Sequence, residues 1–172
     1  MNIFLIGYRA TGKSTVARNV AAALGLKCVD SDALIAKAAG MTIAEIFATE
    51  TEEGFRERES EVVAKIALAD NQVVALGGGA ILRSENREAI CNQGMIVWLQ
   101  ASVESVCERL AADSQTQSLR PPLTTHNRHD EVSELMERRR DIYADVADFA
   151  VDTDSLDIAE VAREIIARLS AS

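Results

Sequence analysis

Gly7-Tyr8-Arg9-Ala10-Thr11-Gly12-Lys13-Ser14, followed by Thr15, satisfies the pattern G-x-x-x-x-G-K-[ST]. The run Asn2 to Ile6 before it reads as a buried strand, and Lys13 to Leu24 after it reads as an amphipathic helix. A glycine-rich turn in that setting aims main-chain N–H groups at one point, where the helix N-terminus adds partial positive charge. Gly7, Tyr8, Arg9, Ala10, Thr11, Gly12, Lys13, Ser14 and Thr15 are therefore the expected contacts of a nucleotide's phosphates, with Lys13 reaching the β- and γ-phosphates and the Ser14 hydroxyl suited to Mg²⁺. A chance match in a chain this long is on the order of one in a hundred. The loop alone does not separate a kinase from a GTPase switch or a mechanical ATPase.

Outward from the loop, short apolar runs alternate with helical patterns. Strands are expected at Lys27 to Asp30, Val73 to Leu76 and Met95 to Leu99, and helices near Ser84 to Gln93, near Val103 to Ala112 and after Asp157. Thr42 with Glu45 fits a capping box, and Thr51 caps a longer helix through Ala69. This rhythm predicts an α/β fold, a parallel sheet covered by helices on both faces, within one domain spanning 1–172. The apolar pattern lapses over Asp113 to Asp130, around Arg120-Pro121-Pro122, so a lid at about 112–130 is expected, with a surface insertion as the alternative.

The bulk numbers agree with a single core: 172 residues can bury roughly 70% of their unfolded surface. A net charge of -9 argues against nucleic-acid binding, which needs many Lys and Arg contacts to phosphates. No apolar run approaches the ~20 residues that span a bilayer, and Met1 to Ile6 leads straight into the loop with no basic leader, so a cytoplasmic location is expected. Cys28, Cys91 and Cys107 are widely spaced, without CxxC or neighbouring His, and read as reduced, mostly buried thiols.

Three further places carry chemistry. Asp30 and Asp32, in Asp-Ser-Asp, follow the second strand at the carboxyl end of the sheet, where ligands gather in α/β folds, although a helix cap at Asp30 or Ser31 explains part of the motif equally well. Gly77-Gly78-Gly79 ends the third strand and leaves N–H groups open to a ligand, or is a flexible turn. Arg56 can pair with Glu59 one turn away, and the plain reading of that pair is a solvated salt bridge worth tenths of a kcal/mol.

Taken in order, these residues resemble the shikimate kinase family over nearly the whole chain. The likeness comprises the phosphate loop, Asp-Ser-Asp at 30–32, Phe-Arg-x-x-Glu at 55–59, Gly-Gly-Gly at 77–79, Arg-Pro at 120–121, and Arg139 to Tyr143 followed by Ala147-Asp148. It implies a three-layer P-loop kinase fold with a five-stranded sheet of order 2-3-1-4-5, and transfer of the γ-phosphoryl of ATP to the 3-hydroxyl of shikimate, on the route to chorismate and aromatic amino acids. It implies roles as well. Lys13, Asp32 and Arg120 would be catalytic, with Asp32 holding the acceptor hydroxyls. Arg56 and Arg139 would clamp the substrate carboxylate, and Gly77, Gly78 and Gly79 would contact its ring by main chain. Ser14 and Asp30 would serve Mg²⁺, Arg120 would meet the phosphates from the lid, and Arg109 would pack on adenine. ATP and shikimate are the expected small-molecule partners, and a monomer is expected.

Successive helix residues point ~100° apart, so of Arg138-Arg139-Arg140 only Arg139 is placed in the pocket, with Tyr143 one turn on and the other two in solvent. His126 and His129 read as surface residues of the lid region. Two features depart from the family pattern. Ala10 stands where many relatives have a third loop glycine, which is tolerated if its φ is negative, and the lid is longer by residues within Asp113 to Ser118. The rivals are a gluconate or nucleoside monophosphate kinase of the same fold and, from another class, a nucleotide-dependent switch module. Two arginines suited to a carboxylate favour shikimate over a neutral acceptor.

Overall fold

The computed structural model describes residues 1–112 and 128–171. Five strands, β1 (Asn2–Ile6), β2 (Lys27–Asp30), β3 (Gln72–Ala75), β4 (Gly94–Gln100) and β5 (Phe149–Asp152), form one parallel sheet in the order β2-β3-β1-β4-β5. That is the expected 2-3-1-4-5 order. Helices α1 (Lys13–Leu24), α2 (Ser31–Ala39), α3 (Ile43–Thr49), α4 (Glu52–Ala67), α5 (Ser84–Ile90), α6 (Val103–Ala112) and α7 (Arg128–Val146) lie between the strands, and α8 (Ile158–Ala171) follows the last of them. A short 3₁₀ turn, Ala80–Leu82, follows the glycines.

The two-residue period of a strand divides its side chains between two layers. Ile3 and Leu5 of β1, with Val73, Val97 and Val151, pack under α1 and α8. Phe4 and Ile6, with Val29, Val74 and Ile96, pack under α2, α3, α4, α5 and α7. Both faces of β1 are buried, which is why it reads as an unbroken apolar run rather than an alternation. A third, smaller cluster of Tyr8, Val106, Leu110 and Val132 joins the loop after β1 to α6 and α7.

The local signals are used as expected. Thr42 accepts from the Glu45 N–H while Glu45 accepts from the Thr42 N–H, and Thr51 accepts from the Gly54 N–H. Several boundaries move: α4 ends at Ala67 rather than Ala69, β3 ends at Ala75 rather than Leu76, and β4 is longer by one residue at each end. The helix expected to reach Gln93 stops at Ile90, because Asn92 adopts φ 69° and cannot continue it. The third strand begins one residue early at Gln72, whose buried amide donates to the Ile66 carbonyl at 2.7 Å. The cysteines correct the sequence reading: all three are free thiols, but Cys28 is exposed and Cys91 and Cys107 are half-buried. Cys28 lies on an edge strand, where one side lacks a covering neighbour. Among the described residues no helix is long and apolar enough to cross a membrane.

Candidate active site

The phosphate loop joins β1 to α1 at the carboxyl edge of the sheet. Gly7 has φ 141°, and a side chain there would come within 2.5 Å of the Leu99 carbonyl, so only glycine passes. Gly12 has φ 89°. Ala10 does not meet the condition of a negative φ: it sits at 61°, in the left-handed region where a Cβ is strained. The Thr11 hydroxyl donates to the Tyr8 carbonyl at 2.8 Å, and the buried Lys13 ammonium donates to the Gly7 and Tyr8 carbonyls, both at 2.8 Å. The loop is thus cross-braced by its own side chains, with Lys13 inside the turn and Thr15 exposed in the first turn of α1.

Asp30 makes the expected cap and a second contact at once. One oxygen caps α2 through the Ala33 N–H at 3.2 Å, and the other accepts the Ser14 hydroxyl at 2.5 Å. Ser31, fully buried, accepts the Gly77 N–H at 2.9 Å and so ties the start of α2 to the glycine turn. Asp32 then faces Gly77: a Cβ at 77 would lie 2.6 Å from Asp32 Oδ1 and 2.9 Å from Glu59 Oε1. Here a side chain would have to displace two carboxylates, and the backbone conformation itself does not call for glycine.

Beside the loop is a cavity of about 150 Å³ whose polar lining comes from Arg9, Asp32, Arg56, Glu59, Gly77, Gly78, Gly79 and Arg139. Its apolar walls are Ile43, Phe47, Phe55 and Leu135, with the Phe47 and Phe55 rings stacked at 4.5 Å. Every acceptor-side residue expected from sequence therefore reaches one cavity. The Arg56–Glu59 pair is not the solvated bridge of the plain reading. Arg56 Nη1 meets Glu59 Oε2 at 2.6 Å, and the two side chains are 15% and 1% exposed. Burial pushes the Glu59 carboxyl above the usual range, against the pull of Arg56, Arg83 and Arg139.

Tyr143 donates to the Gly78 carbonyl at 2.6 Å and Arg139 reaches the same oxygen at 3.3 Å, which fixes the glycine turn from α7. Burial raises the Tyr143 phenol to about 12, so it stays a donor at neutral pH. Arg139 stands over the Tyr8 ring, 5.5 Å from its centroid, while Arg138 and Arg140 are exposed as expected. His129 is also at the surface, 3.4 Å from Glu104.

On the other side of the loop, Arg109 donates to the Thr153 carbonyl at 2.8 Å, the Thr153 hydroxyl at 3.0 Å and the Ala10 carbonyl at 3.4 Å. It links α6, the phosphate loop and the turn after β5. Thr153 had no local signal in the sequence beyond following a strand. Leu135 did have one, since 135, 139 and 143 share a helix face by four-residue spacing. Arg120, His126 and most of the lid expected at 112–130 lie outside the described residues.

Comparison with known proteins agrees with this geometry. The family model described as "Shikimate kinase" matches residues 9–170. The chain is similar to the shikimate kinase of Symbiobacterium thermophilum, 44% identical over 98% of this chain and 96% of that one, and to that of Rhodopirellula baltica, 43% identical over 96% and 88%. Among solved structures it resembles shikimate kinase from Acinetobacter baumannii in complex with shikimate, with a TM-score of 0.92 at 34% identity over 99% of this chain and 93% of that one. The chain belongs to the shikimate kinase family.

Proposed function

We propose that the chain transfers the γ-phosphoryl group of ATP to the 3-hydroxyl of shikimate, giving shikimate 3-phosphate and ADP. The observation that carries this reading is the single cavity in which Asp32, Arg56, Gly77–Gly79 and Arg139 converge beside the phosphate loop. The O3–phosphorus bond forms as the bond from phosphorus to the β–γ bridging oxygen breaks, ADP leaves with that electron pair, and the hydroxyl proton passes to Asp32. Because the transition state is loose, the site need only align the oxygens and neutralise charge, which suits a lysine and arginines without a strong base.

Lys13 and the loop N–H groups hold the phosphates, Arg109 lies on the nucleotide side, and Arg120 completes it from the lid. Arg56 and Arg139 grip the shikimate carboxylate, and Gly77, Gly78 and Gly79 border its ring. The Ser14 hydroxyl and Asp30 carboxylate, already hydrogen-bonded to each other, are hard oxygen donors that fit Mg²⁺. Mg²⁺ held there would supply charge neutralisation for the phosphates. One domain acting as a monomer in the cytoplasm completes the proposal.

A panel of acceptors with Mg-ATP tests it by ADP release. Turnover is expected with shikimate and not with gluconate, AMP or water alone; turnover confined to gluconate, or hydrolysis without an acceptor, would overturn it.

A further inference from the structure

We propose that Arg9 supplies a third guanidinium to the acceptor's carboxylate, so that the phosphate loop reads the acceptor with a side chain while it holds the donor with its main chain. This rests on the functional reading above. The second x of G-x-x-x-x-G-K-[ST] contributes an N–H to the phosphate cradle, and the pattern asks nothing of its side chain. In this chain Arg9 lines the acceptor cavity together with Arg56 and Arg139. The loop also touches the glycine turn here, for a Cβ at Gly78 would lie 3.2 Å from the Arg9 nitrogen.

The two clamp arginines already have protein partners. Arg56 Nη1 is engaged by Glu59 at 2.6 Å, with Glu52 3.5 Å from Nη2, and Arg139 Nη1 donates to the Gly78 carbonyl. Arg9 differs: its Nε is buried and has no hydrogen-bond partner among the described residues. A buried cationic donor without an acceptor is costly, and turning the Arg9 fork onto a ligand oxygen in the cavity removes that cost. Tyr8, itself 4% exposed, organises the pair, with the Arg9 guanidinium 6.0 Å and the Arg139 guanidinium 5.5 Å from its ring centroid. Arg9 is thereby held among the acceptor-side groups, at the boundary with the phosphates.

Charge gives the same answer. With both carboxylates ionised, the cavity lining carries three guanidiniums, Arg9, Arg56 and Arg139, against Asp32 and Glu59. The excess of one positive charge matches a monoanionic acceptor. Without Arg9 the lining loses one positive charge whatever the proton on Glu59 does, and with it part of its preference for an anion over a neutral polyol. Arg9 is on this account a specificity residue for the charge of the acceptor.

The test is steady-state kinetics of wild type, Arg9→Gln and Arg9→Met with Mg-ATP, using shikimate and its neutral carboxamide as acceptors, with thermal melts to establish that each variant is folded. In the variants the KM for shikimate should rise about 10-fold, as expected for one lost charge-assisted hydrogen bond, while the KM for ATP stays within about 2-fold. With the carboxamide, wild type and variants should converge. Variants that keep the wild-type KM for shikimate, or that instead raise the KM for ATP, overturn the assignment and return Arg9 to the phosphates. Should Arg9→Met fail to fold, Arg9→Gln, which keeps a polar end on a shorter stem, carries the comparison. Wild-type protein that does not phosphorylate shikimate would break the functional reading itself, a result distinct from variants that match an active wild type.

Discussion

The donor and acceptor halves of this site are built in opposite ways. The donor half is one continuous segment, Gly7 to Thr15, whose shape is set by backbone conformation and braced by bonds no longer than its own turn, from Thr11 and Lys13 to the carbonyls of residues 7 and 8. The acceptor half is gathered from the start of α2, from α4, from the turn after β3 and from α7, and it is held by contacts across 46 and 65 positions of sequence, Ser31 to Gly77 and Tyr143 to Gly78. A polyanionic phosphate can be held by N–H groups that any sequence supplies, so a short motif suffices. A carboxylated ring needs guanidiniums and a carboxylate at fixed angles, and no single turn can present them.

The sharpest way to break this division is Lys13→Met. Lys13 spans the loop and, on the proposed function, neutralises phosphate charge, so kcat should fall by ~10³-fold, with the KM for shikimate changing far less. A variant retaining more than about a tenth of wild-type kcat would show that the main chain alone does the donor's work. Next in size, Arg56→Lys and Arg139→Lys keep the charge and lose the planar fork. The KM for shikimate should rise ~10-fold or more in each while the KM for ATP holds, by the same steady-state assay. A wild-type KM for shikimate in either variant would remove that residue from the clamp.

The same contrast explains what the sequence made legible. The loop, the strand alternation and the caps at Thr42 and Thr51 are local, and they could be read from spacing alone. Phe149–Asp152 could not: it is a four-residue edge strand, half-exposed, whose pairing with β4 is what makes it a strand. On the acceptor side, Asp32, Arg56 and Arg139 were nameable because the order of motifs resembles a family, but their setting was not. The helical spacing of Arg56 and Glu59 predicts a pair without saying whether water reaches it. Burial of Glu59 depends on Gly77 and the turn around it, nearly twenty residues away, and it turns a surface pair into part of the cavity floor.

That buried pair gives a prediction with a definite sign. The folded-state pKa of Glu59 is raised, chiefly by burial, above the 4.5 of an ordinary glutamate. The folded state therefore holds this proton more tightly than the unfolded chain does. The contribution to stability is fully present below about pH 4.5 and is lost as pH rises through the folded value, then stays flat. Glu59→Gln does not titrate, so the Tm of wild type minus that of Glu59→Gln should decline as pH rises from 4.5 toward neutrality. A difference that instead grows with pH would mean that Arg56 outweighs burial and holds the carboxylate ionised.

The smallest expected effect lies back in the donor loop, at Ala10. A residue with a Cβ at φ 61° pays roughly 1 kcal/mol relative to glycine, offset in part by the greater freedom of glycine in the unfolded chain. Ala10→Gly should therefore raise stability by about 0.5 kcal/mol, or ~1–2 °C in Tm for a chain of this size. The Ala10 carbonyl also accepts from Arg109, and the substitution leaves that acceptor in place. If the strained conformation is enforced by the rest of the loop, Ala10→Gly stabilises the protein and leaves the KM for ATP near wild type, measured by melting and steady-state kinetics. If Ala10 instead holds the loop in shape by denying it alternatives, the same variant gains no stability and its KM for ATP rises. The donor half would then owe its geometry to a side chain as much as to its backbone, and the contrast with the acceptor half would narrow.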